Sequence, residues 1–145
     1  MSKLIVKSPS FEANTKIPKK YTCEGDSINP ALTIECVPSQ TKSIALIMDD
    51  PDAVSGTFDH WIMWNIPPTT SKIEENSAPG IEGLNSGRRP GYYPPCPPSG
   101  SHRYIFKIYA LDQTLNLSSS TKKADLQAAI KGHILAEGEL IGLYR

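Results

Sequence analysis

The sequence predicts a mainly β fold, an antiparallel β-sandwich with a single helix packed on it late in the chain. Most apolar segments are short and end at turn residues, and only one stretch shows a helical period. Proline accounts for 13 of the 145 residues, whereas about 5% is usual. Because proline breaks helix interiors, this excess disfavours a helical bundle. The length fits one domain that spans residues 1–145.

Six segments have the pattern of strands, and these segments favour a sandwich over a closed barrel. The run at 44–48 is continuously apolar, which is typical of a strand buried on both faces. The others either alternate apolar and polar residues or are rich in aromatic and β-branched residues. In chain order the segments are 4–6, 32–36, 44–48, 60–64, 102–111 and 140–144.

One helix is predicted near the C-terminus. Leu126, Ala129, Ile130, His133 and Ile134 follow the i, i+3, i+4, i+7, i+8 spacing of a buried helical stripe. The Ser/Thr-rich stretch before them offers an N-cap at or near position 121. On this interpretation the histidine of the stripe has a packing role.

Charge and cysteine content restrict the partners and the compartment. Fifteen basic and fifteen acidic side chains give a formal net charge of zero, so we expect no nucleic-acid partner. The longest apolar run is much shorter than a membrane helix needs, and the N-terminus lacks a signal-peptide pattern, so we expect no stable membrane insertion. Cys23, Cys36 and Cys96 show no C-x-x-C spacing, and free thiols in a cytoplasmic protein are the simplest interpretation.

Three predicted strands end in a group that can carry charge. Because alternate side chains share a face of a strand, Asp50 continues the face of Met48, His60 that of Ile62, and His102 that of Tyr104. Three such endings suggest a polar pocket at one rim of the sheet. Taken singly, the Asp-Pro step also fits a simple turn. Other side chains are assigned structural roles: an ion pair for Arg103, and core packing for Trp61 and Trp64.

Two long motifs resemble the signature regions of the phosphatidylethanolamine-binding protein family, which includes the Raf kinase inhibitor proteins. The motifs are DDPDAVSGTFDHWIMWNIP at 49–67 and GYYPPCPPSGSHRYIFKIYALD at 91–112. The H-W-x-x-W-N and C-P-P-S-G-x-H-R-Y-x-F blocks are similar to its bacterial and archaeal branch in particular. NPAL at 29–32 and the C-terminal KGHILAEGELIGLY also fit, so the resemblance covers most of the chain.

The resemblance implies a β-sandwich with Greek-key connections, a C-terminal helix and a small anion-binding pocket at the end of the central sheet. Phe58 is expected to form a wall of this pocket, and the family's pocket positions fall on Asp50, Asp52, His60, Pro97, Pro98, His102 and Tyr104. Val54 and Pro94 depart from the branch pattern, and both changes are expected to affect the rim and the ligand selectivity.

These side chains suit a phosphate ester. Two imidazoles and a tyrosine hydroxyl can donate hydrogen bonds, and backbone N–H groups at 99–101 could form an anion nest. A carboxylate beside an anion is unfavourable unless it orients a histidine, is protonated, or pairs with a ligand ammonium. We therefore expect a small anionic or phosphorylated ligand, such as a phosphoethanolamine-type head group, rather than a whole lipid.

Two other functions stay open on the sequence. As relatives do, the chain could inhibit a protein kinase or a protease through its loop surface. Alternatively, Asp50, His60 and His102 could form a two-His, one-carboxylate metal set, or Cys96 could act as a nucleophile. Because no catalytic motif supports either chemistry, we expect a binding protein without enzymatic activity or cofactor. The proline-rich loops are candidates for cis X–Pro bonds, and the sequence leaves a homodimer open.

Overall fold

Residues 2–145 are described by the structure, which is a computed structural model. Within them lie nine β-strands, one α-helix and a short 3₁₀ turn at Lys19–Tyr21. The strands are β1 (Ser2–Lys3), β2 (Ile5–Lys7), β3 (Leu32–Glu35), β4 (Ser43–Asp50), β5 (Phe58–Ile66), β6 (Lys72–Ile73), β7 (Ile81–Glu82), β8 (His102–Leu111) and β9 (Ile134–Tyr144), and the helix is α1 (Lys123–Ile130). None of the helices described is long and apolar enough to cross a membrane.

The strands form two sheets. The larger sheet has the order β1-β9-β8-β4-β5-β7, and the smaller has the order β2-β3-β6. All pairs are antiparallel except β1 with β9, which run parallel at the edge of the larger sheet. The prediction of a mainly β sandwich with one late helix is confirmed, with this parallel edge as the departure from an all-antiparallel arrangement.

The main core lies between the two sheets. On the larger sheet, alternate residues of β4 and β8 face inward, and on the smaller sheet Val6, Leu32 and Ile34 face them. Trp61 is fully buried in this core, as expected. The strand β4 is buried along its whole length because both of its faces are covered, which confirms the interpretation of its continuous apolar run.

The second face of the larger sheet is covered by α1. Ala45, Ile47, Ile62 and Trp64 pack there against Leu126 and its neighbours on the helix. The helix begins after Lys122, which makes no side-chain cap hydrogen bond, so the proposed cap at position 121 is wrong.

The helix is also shorter than the sequence pattern predicted. It ends at Ile130, and Gly132, with φ of 83°, turns the chain where a residue with a side chain would be strained. Ile134 therefore begins β9, and His133 lies between the two elements with Nδ1 2.9 Å from a carboxylate oxygen of Asp112. The helical spacing of apolar residues in the sequence therefore extends past the helix by coincidence, because Ile134 belongs to β9.

One disulfide corrects the cysteine interpretation. Cys23 and Cys96 are bonded, with their Cα atoms 5.5 Å apart, and Cys36 alone is free and exposed. The segments that carry the bonded pair are distant in sequence, and only the folded chain places them side by side, so spacing could not reveal the pair. The prediction of three free thiols is therefore wrong, and the cytoplasmic location that was inferred from them stays a prediction.

The peptide bonds are all trans in residues 2–145. The expectation of a cis X–Pro bond is therefore wrong for this part of the chain. Trans is the favoured isomer even before proline, and the loops here reach their geometry with it.

Candidate functional site

A cavity of about 410 Å³ opens at the end of the larger sheet where β4 ends and β5 and β8 begin. It contains Asp50, His60 and His102, the three strand-end residues that alternation of side chains selected. Its lining consists of Asp50, Ala53, Val54, Ser55, Gly56, Phe58, His60, Tyr93, Cys96, Pro97, Pro98, His102 and Tyr104.

Asp50 and His102 form a buried pair in this cavity. The last residue of β4 and the first of β8 are brought together by the antiparallel register of the two strands. Nδ1 of His102 lies 2.6 Å from Oδ2 of Asp50. Because a carboxylate accepts, we assign the proton to Nδ1, which leaves Nε2 as the free nitrogen. Oδ1 of Asp50 accepts the backbone N–H of Asp52 at 2.8 Å, so both carboxylate oxygens are engaged.

A bulge in β5 places His60 in the cavity. Met48 and Asp49 are consecutive in β4, but their partners in β5 are Trp61 and Asp59, so His60 is an extra residue. Ile62 and Trp64 face the helix layer, and without the bulge His60 would face it too. Strand alternation therefore correctly places His60 at the pocket but wrongly groups it with Ile62 and Trp64.

The imidazole of His60 is oriented by a backbone carbonyl. Its Nδ1 lies 2.6 Å from the carbonyl oxygen of Tyr93, which can only accept, so Nδ1 carries the proton. Burial lowers the pKa of His60 below its ordinary value of 6.5, while Tyr93 and nearby carboxylates oppose that shift. The ring is therefore neutral at pH 7, with Nε2 available as an acceptor.

Tyr104 forms the floor between the two histidines. Its ring centroid lies 5.2 Å from that of His60 and 6.5 Å from that of His102. Burial, and secondarily Asp50, raise the pKa of the Tyr104 hydroxyl well above its usual range. This hydroxyl stays protonated at neutral pH and can donate a hydrogen bond.

Asp52 does not line the cavity, contrary to the expectation from the family pattern. Its carboxylate accepts the Nε, Nη2 and backbone N–H of Arg103, each at 2.9 Å. These hydrogen bonds, the side-chain ones first, lower the pKa of Asp52 to about 2. Since neighbouring residues point in opposite directions, His102 faces the cavity while Arg103 holds Asp52 on the outer side. The expected ion pair of Arg103 is confirmed.

The wall residues Phe58, Pro97 and Pro98 lie where the sequence placed them. The segment 99–101 does not contribute to the lining, so the expected anion nest is not part of this cavity. Cys96, which the sequence left open as a nucleophile, lines the cavity from within its disulfide and so has no thiolate to act in that way.

Sequence reasoning missed Tyr93 and the loop residues 53–56 as a group. Tyr93 reaches the cavity because its backbone pairs with His60, its N–H donating to the His60 carbonyl at 2.8 Å. Its ring centroid lies 4.9 Å from that of Phe58. An aromatic residue beside the proline cluster was the available signal, but nothing in the sequence distinguishes Tyr93 from Tyr92, which packs on Trp61.

The arrangement of the proposed metal set can be compared with that of known metal sites. Among residues 2–145 no cluster of three His, Cys, Asp or Glu side chains has the geometry of a metal site. The geometry therefore gives no support to the two-His, one-carboxylate alternative.

The fold and the cavity define a class of small β-sandwich proteins with a pocket at the strand ends, and comparison with known proteins gives the family. The sequence model of the phosphatidylethanolamine-binding protein family matches residues 7–145. The UPF0098 protein of Methanothermobacter thermautotrophicus is 45% identical, with 97% of each chain covered. UPF0098 protein PH1269 of Pyrococcus horikoshii is 49% identical, covering 94% of this chain and 74% of that protein.

Solved structures agree. A phosphatidylethanolamine-binding protein homolog from Chlamydia trachomatis superposes with a TM-score of 0.96 at 39% identity, covering 100% of this chain and 99% of that chain. YbcL of Escherichia coli, described as a new member of the mammalian family, gives 0.90 at 26% identity with 99% of each chain covered. The chain belongs to the phosphatidylethanolamine-binding protein family, in its bacterial and archaeal branch.

Proposed function

We propose that the chain is a binding protein that takes the phosphate group of a small anionic or phosphorylated ligand in this cavity. The observation that carries the proposal is the convergence of His60, His102 and Tyr104 on one cavity, with Asp50 holding His102 in place. A phosphoethanolamine-type head group and a phosphorylated side chain both present the group that these side chains suit.

The Nδ1 contacts determine how an anion would be held. With Nδ1–H bonded to the Tyr93 carbonyl and to Asp50, each histidine presents only its Nε2 to the cavity. Because burial keeps the free His60 neutral, a phosphate dianion would bind there with uptake of a proton, which makes the His60 Nε2–H a charge-assisted donor. The hydrogen bond to Asp50 fixes the orientation of the His102 ring. The Tyr104 hydroxyl can add a neutral donor.

A binding role suits the cavity better than a catalytic one. The imidazole–carboxylate pair resembles part of a general-base apparatus, yet the cavity offers it no thiol nucleophile, because Cys96 is in a disulfide. We therefore propose no enzymatic activity. The inhibition of a kinase or protease through the loops stays a prediction from the family resemblance, as does a homodimer.

A titration followed by NMR of the imidazole groups tests the proposal. The chain has three histidines, and His133 lies outside the cavity on Asp112, so it serves as an internal control. Adding inorganic phosphate or O-phosphoethanolamine should shift the signals of His60 and His102 together and leave those of His133 in place. No shift at millimolar ligand, or equal shifts of all three, would contradict the anion site.

Substitution gives a second test. His60→Ala should weaken phosphate binding by roughly tenfold or more, because a charge-assisted hydrogen bond is lost. His133→Ala is the matched control and should bind phosphate as the unaltered protein does. Unchanged affinity in His60→Ala, with the fold intact by circular dichroism, would remove His60 from the site.

A further inference from the structure

A second cavity, of about 280 Å³, shares no lining residue with the one described above. Three parts of the chain that are distant in sequence form it: 27–29, 76–78 and the edge strand β7 with the segment 91–92 beside it. Tyr92 lines this second cavity, whereas its neighbour Tyr93 lines the first. The volume is close to the lower end of pockets for small molecules, about 300 Å³. The fold therefore offers a separate place for a small group.

The second cavity contains one carboxylate, and a buried indole fixes its position. Glu82 of β7 is half-buried, and its Oε2 accepts the Nε1–H of Trp61 at 2.7 Å. Because Trp61 is fully buried, this hydrogen bond anchors the carboxylate to the core. Within residues 2–145, Glu82 forms no ion pair with a lysine, arginine or histidine, and no hydrogen bond reaches its Oε1. A negative charge is thus held in place with one oxygen available to a ligand.

Gly91 leaves space beside this carboxylate. A Cβ atom at position 91 would lie 3.3 Å from Oε2 and 3.5 Å from Oε1 of Glu82. The backbone at Gly91 has a φ of 95°, which glycine adopts without strain. A side chain here would crowd the carboxylate, so the glycine keeps the cavity open at its charged end.

The other polar side chains of the lining offer acceptors more than donors. Ser27 and Ser77 donate their hydroxyl hydrogens to backbone carbonyls at 3.2 and 3.0 Å, so each Oγ retains only lone pairs. The amide nitrogen of Asn29 donates to two backbone carbonyls, and the Tyr92 hydroxyl donates to a third. Among the described residues of this lining, only the exposed amide of Asn76 has a side-chain donor without such a hydrogen bond. The cavity therefore suits a group that brings donors of its own.

The walls of the second cavity are joined by Asn29, which is 5% exposed. Its carbonyl accepts the Asn76 N–H at 3.1 Å, and its Oδ1 accepts the Ser77 N–H at 3.0 Å. This residue is the first of the NPAL motif at 29–32. The motif thus holds two walls of the cavity together, and a pre-formed site loses less conformational freedom when it binds a ligand.

We propose that the second cavity binds a primary ammonium group, with Oε1 of Glu82 as its charged acceptor. An ammonium carries three N–H donors and no acceptor, which matches one free carboxylate oxygen among hydroxyl lone pairs. A calcium ion would need six to eight oxygen ligands, and no cluster of acidic or metal-ligating side chains is found in the described part of the chain. Because the two cavities share no residue, this site is independent of the proposed phosphate site.

The indole N–H signals of the two tryptophans test the ammonium site by NMR. Trp61 donates directly to Glu82, whereas the buried Nε1 of Trp64 has no hydrogen-bond partner and Trp64 packs in the layer that faces α1. Butylammonium chloride should shift the Trp61 signal in a saturable way and leave the Trp64 signal in place. Tetramethylammonium chloride has the same charge without N–H donors and should give no saturable shift. No Trp61 shift at tens of millimolar butylammonium, or an equal shift with tetramethylammonium, would overturn the proposal.

Glu82→Gln removes the charge and keeps an acceptor for the Trp61 indole. Its affinity for butylammonium should fall by roughly fivefold or more, because a charge-assisted hydrogen bond is lost. Glu139→Gln changes an exposed carboxylate of β9 outside this cavity and should bind as the unaltered protein does. Equal affinity in Glu82→Gln and the unaltered protein would exclude Glu82 as the acceptor and overturn the site.

Two further titrations identify the source of the ammonium and separate the two cavities. Nα-acetyl-lysine amide with affinity at or above that of butylammonium indicates a lysine side chain of a protein, and weaker affinity indicates a free amine; both agree with an ammonium site. The imidazole signals of His60 and His102 should not respond to butylammonium, and in Glu82→Gln they should respond to phosphate as before. A joint response of these histidines and Trp61 to the amine would contradict a separate second site.

Discussion

Asp50 is a buried carboxylate that lines a proposed anion site, and a free negative charge there would repel the ligand. The hydrogen-bond partners of Asp50 resolve this conflict. One oxygen accepts the His102 Nδ1–H and the other accepts the Asp52 N–H. The carboxylate therefore orients an imidazole and closes a turn, which is the first of the roles that make an acid compatible with a bound anion.

Comparing Asp50→Asn with Asp52→Asn tests this role at the residue scale. The first change leaves one of two buried hydrogen bonds without an acceptor, and the free energy of unfolding should fall by about 1–3 kcal/mol. Asp52 and Arg103 are largely exposed, with side-chain exposures of 32% and 51%, so the second change should cost at most about 1 kcal/mol. Urea unfolding at pH 7 measures both, and an equal loss in the two variants would contradict the structural role of Asp50.

His60 should make the stability of the ligand-free protein depend on pH. Since burial lowers its pKa in the folded state, the unfolded chain takes up this proton first as the pH falls below about 6.5. The His60 contribution to stability is therefore complete above that pH and is lost progressively below it, down through the folded-state pKa. In His60→Gln the free energy of unfolding should decline less between pH 7 and 5.

The control for this pH dependence is His133→Gln, which changes a histidine outside the cavity. Its unfolding free energy should decline over the same pH interval as that of the unaltered protein. If His60→Gln and the unaltered protein follow the same curve, the buried neutral imidazole is not the source of the acid sensitivity.

At the scale of strands, alternation predicts most of the site. In β4 and β8 the alternation is unbroken near the cavity, so Asp50, His102 and Tyr104 lie on the predicted face. In β5 the face on which His60 lies is set by a β-bulge of one extra residue. Alternation along the sequence cannot reveal this bulge, because it exists only in the pairing of β5 with β4. The prediction that Asp52 lines the cavity is wrong for a related reason. Its partner Arg103 can be identified only once the strand register is known.

The loop that forms the cavity wall is held by long-range contacts as well as by its prolines. Proline fixes φ within the loop, but the disulfide from Cys23 to Cys96 ties it to the N-terminal segment. Two hydrogen bonds support the same junction: the Cys23 N–H donates to Pro95 and the Tyr92 hydroxyl donates to the Tyr21 carbonyl, at 3.2 and 2.8 Å. Such long-range pairings are absent from local sequence patterns, so neither the disulfide nor these hydrogen bonds could be predicted from the sequence.

Reduction of the disulfide should destabilise the protein substantially. The cysteines are 73 residues apart, and closing a loop of that size limits the unfolded chain, which in the chain-entropy description contributes about 4 kcal/mol at 25 °C. Urea unfolding with and without dithiothreitol measures the difference. Cys23→Ser should reproduce the reduced value and lose its sensitivity to dithiothreitol, while Cys36→Ser should keep it. Equal midpoints with and without reductant in the unaltered protein would contradict the role of this bond.

At the scale of the whole molecule, the fold can be predicted from patterns in the sequence, but the ends of the strands and of the helix cannot. Short apolar segments predict the sandwich, because each must cover a face of another sheet or the helix. The short edge strands β1, β6 and β7 were not predicted, since two-residue strands carry no period of their own. The sequence pattern extends the helix to Ile134, but this residue begins β9 instead. The difference depends on the turn at Gly132 and on the pairing of β9 with β8.

Because the charge of the whole chain is balanced, a change in its Tm can be used to measure ligand binding. Because basic and acidic residues are equal in number, general salt effects on the folded state should be small. A ligand at a hundred times its dissociation constant adds about 2.7 kcal/mol, which for a chain of this length raises the Tm by roughly 5–10 °C. Phosphate monoesters should therefore raise the Tm of the unaltered protein by several degrees at concentrations where sodium chloride of equal ionic strength does not. His60→Ala should lose most of this increase at the same ester concentration, whereas His133→Ala should keep it. An increase of equal size in both variants would show that the ester acts on the surface charges and not through the cavity.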